Sequence, residues 1–248
     1  MQYAICNLGI VPLRIEPDHT SQMLSQLLYG EVFQILEERA QWSRIRTAFD
    51  SLEAWIGKKQ FQKISEEEFE RVTAEDPQLC ADLVEFVSSG EQLIPIPMGA
   101  ELNGAGLMQH THSGSITSGK KAKENLLETA FLYLNAPYLW GGKSPFGIDA
   151  SGFTQMVYKL NGYKLLRTPS EQARQGESLS FIEEGEPGDL AFFDNAEGVI
   201  NHVGIMMSDN YIIHADGKVR LDRIDHSGIY NSEIRRHTHK LRVIKKII

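Results

Sequence analysis

The sequence predicts an α+β protein of two or three compact modules, and three observations carry that expectation. Short apolar runs broken by turn residues fill residues 1–62. Stretches of helical period dominate the start of the last module, where they precede two apolar runs of strand composition. A length of 248 residues exceeds what one small module needs.

In residues 1–62, apolar or alternating runs lie at 3–14, 24–28, 32–37, 42–47 and 53–56. Glu16-Pro17-Asp18, Tyr29-Gly30-Glu31 and Asp50-Ser51 separate them with turn chemistry, the pattern of a small β-barrel. Residues 63–118 open on a charged helical stretch at 65–72 and continue with strand candidates at 83–87 and 93–96, before prolines and glycines break the pattern. This middle stretch reads as a linker or as a degenerate second barrel. His110 and His112 have the spacing of a metal-ligand pair, but no carboxylate or cysteine cluster accompanies them. A solvated loop is expected there, with no metal and no cofactor.

Residues 119–248 form the third module. A helix is expected over 120–135, with Leu126, Leu127, Ala130, Phe131 and Leu134 on its buried face. A second helix follows Asp149, a good N-cap, and presents Phe153, Met156, Val157 and Leu160 at i, i+3, i+4 and i+7 before Asn161-Gly162 stops it. Runs at 199–207 and 211–215, joined by Ser208-Asp209-Asn210, read as a β-hairpin. A turn centred on Asp209 sets His202 opposite residue 216 and His214 one same-face step away, at the roughly 7–8 Å of diagonal neighbours.

Position 150 falls in the first turn of the second helix, where exposed amides and the helix dipole favour negative charge. A cysteine there would have its thiolate stabilised, and the same amides would hold an oxyanion. The residue present is alanine.

Residues 120–230 resemble the NlpC/P60 cysteine peptidases, a family with a circularly permuted papain-like fold. Six segments match in the family's order: Pro137-Tyr138-Leu139-Trp140-Gly141-Gly142, Asp149-Ala150-Ser151-Gly152-Phe153, Arg167-Thr168-Pro169-Ser170-Glu171-Gln172, Pro187-Gly188-Asp189-Leu190-Ala191-Phe192-Phe193, and the two histidine segments. The resemblance implies that Ala150 occupies the position of the nucleophilic cysteine, that His202 is the general base and that His214 orients it. It further implies that Tyr138 helps hold the oxyanion, the alternative being core packing with Trp140. Asp149, Ser151 and Ser170 match substrate contacts; Ser170 is also a candidate helix N-cap, and Arg167 is expected to be structural. Residues 1–62 resemble the bacterial SH3 (SH3b) domains that precede many such enzymes, so the implied architecture is a papain-like NlpC/P60 catalytic domain behind a small SH3-like β-barrel. In relatives that process wall fragments this barrel binds the substrate's terminal ammonium. Glu16 would supply the acid here, while Leu52 stands where a tyrosine is sought.

The implied activity is that of a γ-D-glutamyl-L-diamino acid endopeptidase, acting without a metal on stem peptides that begin with free L-Ala. As written the chain has no nucleophile and should bind its muropeptide uncut. Retention of Tyr138, Asp149, Ser151, His202 and His214 favours a Cys-to-Ala form of an active enzyme over a muropeptide-binding pseudoenzyme that has drifted. A secreted wall-lytic endopeptidase, or a papain-like acyltransferase or amidase, would share much of the pattern. The formal charge of −8 argues against nucleic acid as a partner. No transmembrane run is visible and the sequence opens on Met1-Gln2-Tyr3, so a cytoplasmic protein is expected, with no membrane partner. The sequence does not fix the oligomeric state, and a monomer is the default expectation. Cys6 and Cys80 do not suggest a disulfide scaffold.

Overall fold

A computed structural model describes residues 1–248. The chain divides into two units, Met1–Lys120 with Trp140–Pro145, and Lys121–Leu139 with Phe146–Ile248.

The first unit is built on seven antiparallel strands: β1 (Gln2–Ile5), β2 (Ile10–Arg14), β3 (Met23–Leu28), β4 (Val32–Glu38), β5 (Trp42–Thr47), β6 (Glu53–Gly57) and β7 (Gln62–Ile64). Their order in the sheet is β3-β2-β6-β5-β4-β1-β7. The apolar run expected over 3–14 is two strands, because Asn7-Leu8-Gly9 interrupts it. Alternation along the strands turns Ala4, Val11, Leu13, Leu27, Phe33, Ile35, Ile45, Ala54 and Ile56 into one core, and Leu52 packs against it.

Helix α1 (Glu66–Ala74) follows, closed at its start by a capping box between Ser65 and Glu68. Short strands β8 (Leu79–Cys80), β9 (Val84–Ser89), β10 (Gln92–Pro97), β11 (Thr111–His112) and β12 (Ile116–Thr117) complete the stretch. These elements share a second apolar cluster with the barrel: Ile5, Tyr29 and Val32 meet Val72, Cys80, Val87, Ile96 and Met108. His110 and His112 do not form a solvated loop. The His110 Nδ1 atom hydrogen-bonds the Tyr29 hydroxyl at 2.8 Å, and His112 lies in β11 opposite Val87.

The six residues Trp140–Pro145, which include strand β13 (Lys143–Ser144), also belong to this unit. Gly141 has φ +78°, and a Cβ there would meet the Met23 carbonyl oxygen at 2.8 Å, so the close approach requires glycine. The Lys143 backbone amide donates to Gln26 Oε1 at 2.8 Å. Its ammonium reaches both carboxylate oxygens of Glu31 at 2.9 and 3.2 Å, with each side chain only 4% exposed.

The second unit starts with α2 (Asn125–Phe131), shorter than the helix expected over 120–135. Its buried stripe is Leu126, Thr129, Ala130 and, just past its end, Tyr133. Those positions are spaced i, i+3, i+4 and i+7, a single face that leaves Phe131 and Leu134 outward. Strand β14 (Gly147–Ile148) leads into α3 (Ala150–Leu160), every residue of which is buried. Then come α4 (Pro169–Gln172), β15 (Glu177–Leu179), β16 (Leu190–Asp194), β17 (Ile200–Met207), β18 (Tyr211–Asp216), β19 (Lys218–Asp225), β20 (Gly228–Asn231) and β21 (Arg236–Lys246). The sheet runs β15-β21-β16-β17-β18-β19-β20, and β20 pairs again with β21, so its strands close on themselves. Ala191, Phe193, Met206, Ile212, Ile224, Ile229 and Ile244 cluster within it.

Candidate active site

The site grows from the start of α3. Asp149 adopts an extended N-cap conformation, and its Oδ1 accepts the Gly152 amide at 2.7 Å. Arg167 grips the same carboxylate at both oxygens, 3.0 Å from Oδ1 and 2.7 Å from Oδ2, and also donates to Ser151 Oγ at 3.0 Å. Gln172 donates to the Ser151 carbonyl at 2.9 Å and accepts from Thr154 at 2.7 Å. The Arg167–Gln172 segment therefore clamps the first turn that carries Ala150. Asp149 and Ser151 sit in this clamp, and a substrate ammonium at Asp149 would share the carboxylate with Arg167. Thr168, not Ser170, caps α4, through a capping box with Glu171. Ser170 lies in the first turn of α4, 3.4 Å from the Thr168 hydroxyl.

Tyr138 is held by its backbone, which donates to Gly217 O at 3.0 Å and bridges to Ile148. Tyr138 is 39% exposed and Trp140 57%, so neither serves as core. Burial of the phenol, with Asp149 and Asp216 nearby, raises its pKa against the opposing pull of Arg167. It is a protonated donor at neutral pH, beside the Asp149–Arg167 clamp.

The histidines meet as the hairpin register requires. Gly204 lies opposite His214, and His202 is two residues away on the same face of β17. A Cβ on Gly204 would come within 2.9 Å of the His214 Cβ, so the glycine of Asn201-His202-Val203-Gly204 makes room for the second ring. His202 Nε2 and His214 Nδ1 are 2.9 Å apart, both rings buried.

Three further residues complete the cluster, and the sequence did not single them out. His214 lies opposite Arg220 on β19, and Asp222 is the diagonal neighbour on the same face. Asp222 Oδ2 is 3.0 Å from His214 Nε2, and Arg220 Nη2 donates to Asp222 Oδ1 at 3.2 Å. Burial pushes the Asp222 carboxyl up, but His214 and Arg220 outweigh it and hold it below the usual carboxylate range. His239, on β21, stacks on His202 with ring centroids 4.0 Å apart and planes 24° from parallel.

Ring nitrogens of His202, His214 and His239 all lie within 4.8 Å of one another, a grouping with the donors to hold a cation. The nitrogens facing each other on His202 and His214 are already joined by a hydrogen bond. An ion about 2 Å from nitrogens on both His202 and His239 would sit outside the planes of two near-parallel rings. The arrangement fits proton transfer better than metal ligation.

Burial, with His214 and His239 alongside, lowers the His202 pKa well below 6.5. Burial and His214 lower that of His239 to about 4, against Asp216 and Asp222. His202 is thus a neutral imidazole at pH 7, the form that accepts a thiol proton. A base whose folded-state pKa lies below its unfolded value takes up a proton on unfolding. The stability these two rings depend on is therefore full above about pH 6.5 and is lost as pH falls toward the folded values. Urea unfolding at pH 5 should give on the order of 2 kcal/mol less stability than at pH 7. Equal stability at both would mean that the rings are charged in the fold.

Glu16 is exposed in the turn after β2, where Ser21 bonds its backbone.

The site thus combines a clamped helix N-terminus with a buried imidazole pair that is backed by a carboxylate. Residues 135–242 match the NlpC/P60 family, and residues 13–61 match the bacterial dipeptidyl-peptidase SH3 domain. The chain thus carries an NlpC/P60 domain, of a cysteine peptidase family, with a bacterial SH3 domain ahead of it. It is homologous to the γ-D-glutamyl-L-lysine dipeptidyl-peptidases. It is 26% identical to the one so named from Bacillus subtilis (strain 168), over 77% of this chain and 71% of that protein. It is 28% identical to dipeptidyl-peptidase 6 of Lysinibacillus sphaericus, over 82% of this chain and 83% of that one. The crystal structure of an NlpC/P60 family protein from Bacillus cereus ATCC 10987 shares the fold, with a TM-score of 0.81 at 18% identity and 99% of each chain covered.

Proposed function

We propose that this chain is the inactive Cys-to-Ala form of a γ-D-glutamyl-L-diamino acid endopeptidase that acts on peptidoglycan stem peptides with a free N-terminal L-Ala. The observation that carries the proposal is the buried His202–His214 hydrogen bond, 2.9 Å long, in a catalytic domain whose α3 opens on Ala150. The names of the Bacillus and Lysinibacillus relatives, and the SH3 domain shared with bacterial dipeptidyl-peptidases, support the substrate class.

In this reading a sulfur on the Ala150 Cβ gives its proton to His202 and attacks the carbonyl of the γ-D-glutamyl residue. First-turn amides of α3 and the Tyr138 hydroxyl take the developing oxyanion. His202 returns the proton to the departing diamino acid, and water then hydrolyses the thioester. Asp149, Ser151 and Ser170 contact the substrate, and Glu16 binds its ammonium. The reaction needs no metal, and the enzyme works as a monomer. We assign it to recycling of wall fragments in the cytoplasm. A formal charge of −8 suits small soluble peptides better than acidic wall polymers, and no helix is long and apolar enough to cross a membrane.

The test uses the Ala150→Cys protein with L-Ala-γ-D-Glu-diaminopimelate, its N-acetylated analogue and intact sacculi. Release of L-Ala-γ-D-Glu from the free amine, at least about 100-fold faster than from the acetylated peptide, is expected for an amine read by a charged group. Equal rates on both would remove the ammonium-binding role, and solubilised sacculi would point to a wall-lytic enzyme instead. Ala150 itself favours a second reading, a muropeptide-binding pseudoenzyme, which predicts binding without cleavage even after the substitution.

A further inference from the structure

We propose that Asp222, anchored by Arg220, is a positioning residue that dictates which nitrogens of His214 and His202 carry protons, and so which nitrogen of His202 meets the nucleophile. The inference builds on the peptidase reading of the same site.

The argument follows the hydrogen bonds inward from Arg220. Arg220 Nε lies 2.7 Å from Asp222 Oδ2 and its Nη2 donates to Oδ1, while Glu233 holds the other side of the guanidinium at 3.3 Å. A guanidinium has donors and no acceptor, so it fixes Asp222 as a carboxylate. A carboxylate only accepts, so His214 Nε2, 3.0 Å away, bears the proton of that bond. An uncharged imidazole has one ring proton; with the His214 proton at Nε2, its Nδ1 is an acceptor. His202 Nε2, 2.9 Å from it, must then be the donor. The lone pair of neutral His202 is left at Nδ1, the nitrogen on the far side of the ring from His214. That is the only nitrogen able to take a thiol proton.

The fold holds this chain of donors in one register. His202, His214, Arg220 and Asp222 occupy one face of three adjacent strands, and Gly217, with φ +70°, makes the tight turn that sets β19 against β18. Asp222 and His214 are 4% and 0% exposed, so water does not compete for the bond between them. Asn at position 222 keeps the shape but can present an amide N–H to His214 Nε2. That would move the His214 proton to Nδ1 and the His202 proton to its own Nδ1, blocking the base.

Nitrogen-15 imidazole spectra of the chain as written test this without any turnover. At pH 7 we expect His214 and His202 both to be protonated at Nε2 and bare at Nδ1. Asp222→Asn should invert both tautomers, whereas Asp222→Glu should keep the original pair. In the Ala150→Cys background, Asp222→Asn should lower kcat by about 100-fold with KM changed less than about twofold, the signature of a wrong tautomer rather than lost binding. Asp222→Glu should recover most of that rate. A His202 proton at Nδ1 in the chain as written overturns the proposal, whether or not the variants fold; so do tautomers unchanged in a folded Asp222→Asn protein. If the Ala150→Cys protein cleaves nothing while the tautomers are as stated, the peptidase reading fails and the positioning role stands.

Discussion

The Ala150→Cys protein is expected to acquire hydrolytic activity against the γ-D-glutamyl bond, a gain on the order of 10⁴-fold or more over the chain as written. A methyl group cannot attack a carbonyl, and what remains without a nucleophile is oriented binding and an oxyanion site. The Asp149–Arg167–Gln172 clamp holds the first turn of α3 rigid, and His202 is neutral and buried. A thiolate formed beside His202 favours the imidazolium, so its pKa should be higher in the Ala150→Cys protein than in the chain as written. Histidine NMR titration of the two proteins checks the electrostatics, and mass spectrometry of peptide products checks the chemistry. A folded Ala150→Cys protein with an unshifted His202 would mean that the sulfur and the ring do not meet.

The second large effect is on stability. Lys143→Met and Glu31→Gln should each destabilise the protein by about 3–5 kcal/mol in urea unfolding, because each leaves the other's charge buried without its counter-ion. The double variant should recover a substantial part of that loss, since a hydrophobic residue and an amide do not carry the desolvation cost of two ions. Losses below about 1 kcal/mol would be the signature of a solvent-screened surface pair, incompatible with side chains that are 4% exposed.

These outcomes also show where the sequence was readable. Local signals served well. Asp149 with the apolar period behind it marked α3, and Ser208-Asp209-Asn210 set a register that brought His202 to His214. Asp209 and Asn210 both adopt positive φ, the conformation for which such residues are suited. The order of six motifs named the family. Partners distant along the chain stayed hidden. Arg220 and Asp222 alternate with Val219, Leu221 and Arg223, which reads as an ordinary solvated strand face until β19 is registered on β18. Asp216-Gly217-Lys218 was the turn signal that could have given that register. His239 reaches His202 only because the C-terminal β21 pairs with both β16 and β20, a closure that no local pattern announces. Gln172 closes one of the six matching segments, yet it is fully buried and holds the Ser151 carbonyl in the first turn of α3. Helix α2 buries Leu126, Thr129 and Ala130 on a single face, and the apolar Phe131 and Leu134 lie outside it.

The six residues Trp140–Pro145 give the chain an unusual seam. It crosses between the two units three times, after Lys120, after Leu139 and after Pro145. A module joined by one crossing can be lent to another protein with a single cut at that point. Here the cut after Lys120 would leave Lys143 on the wrong piece and strip Glu31 of its ammonium. Any transplant of the barrel must carry the hexapeptide with it. The residues between Tyr138 and Asp149 thereby answer to two folds at once, and an exchange of barrels between relatives succeeds only when this short stretch of the catalytic half is exchanged too.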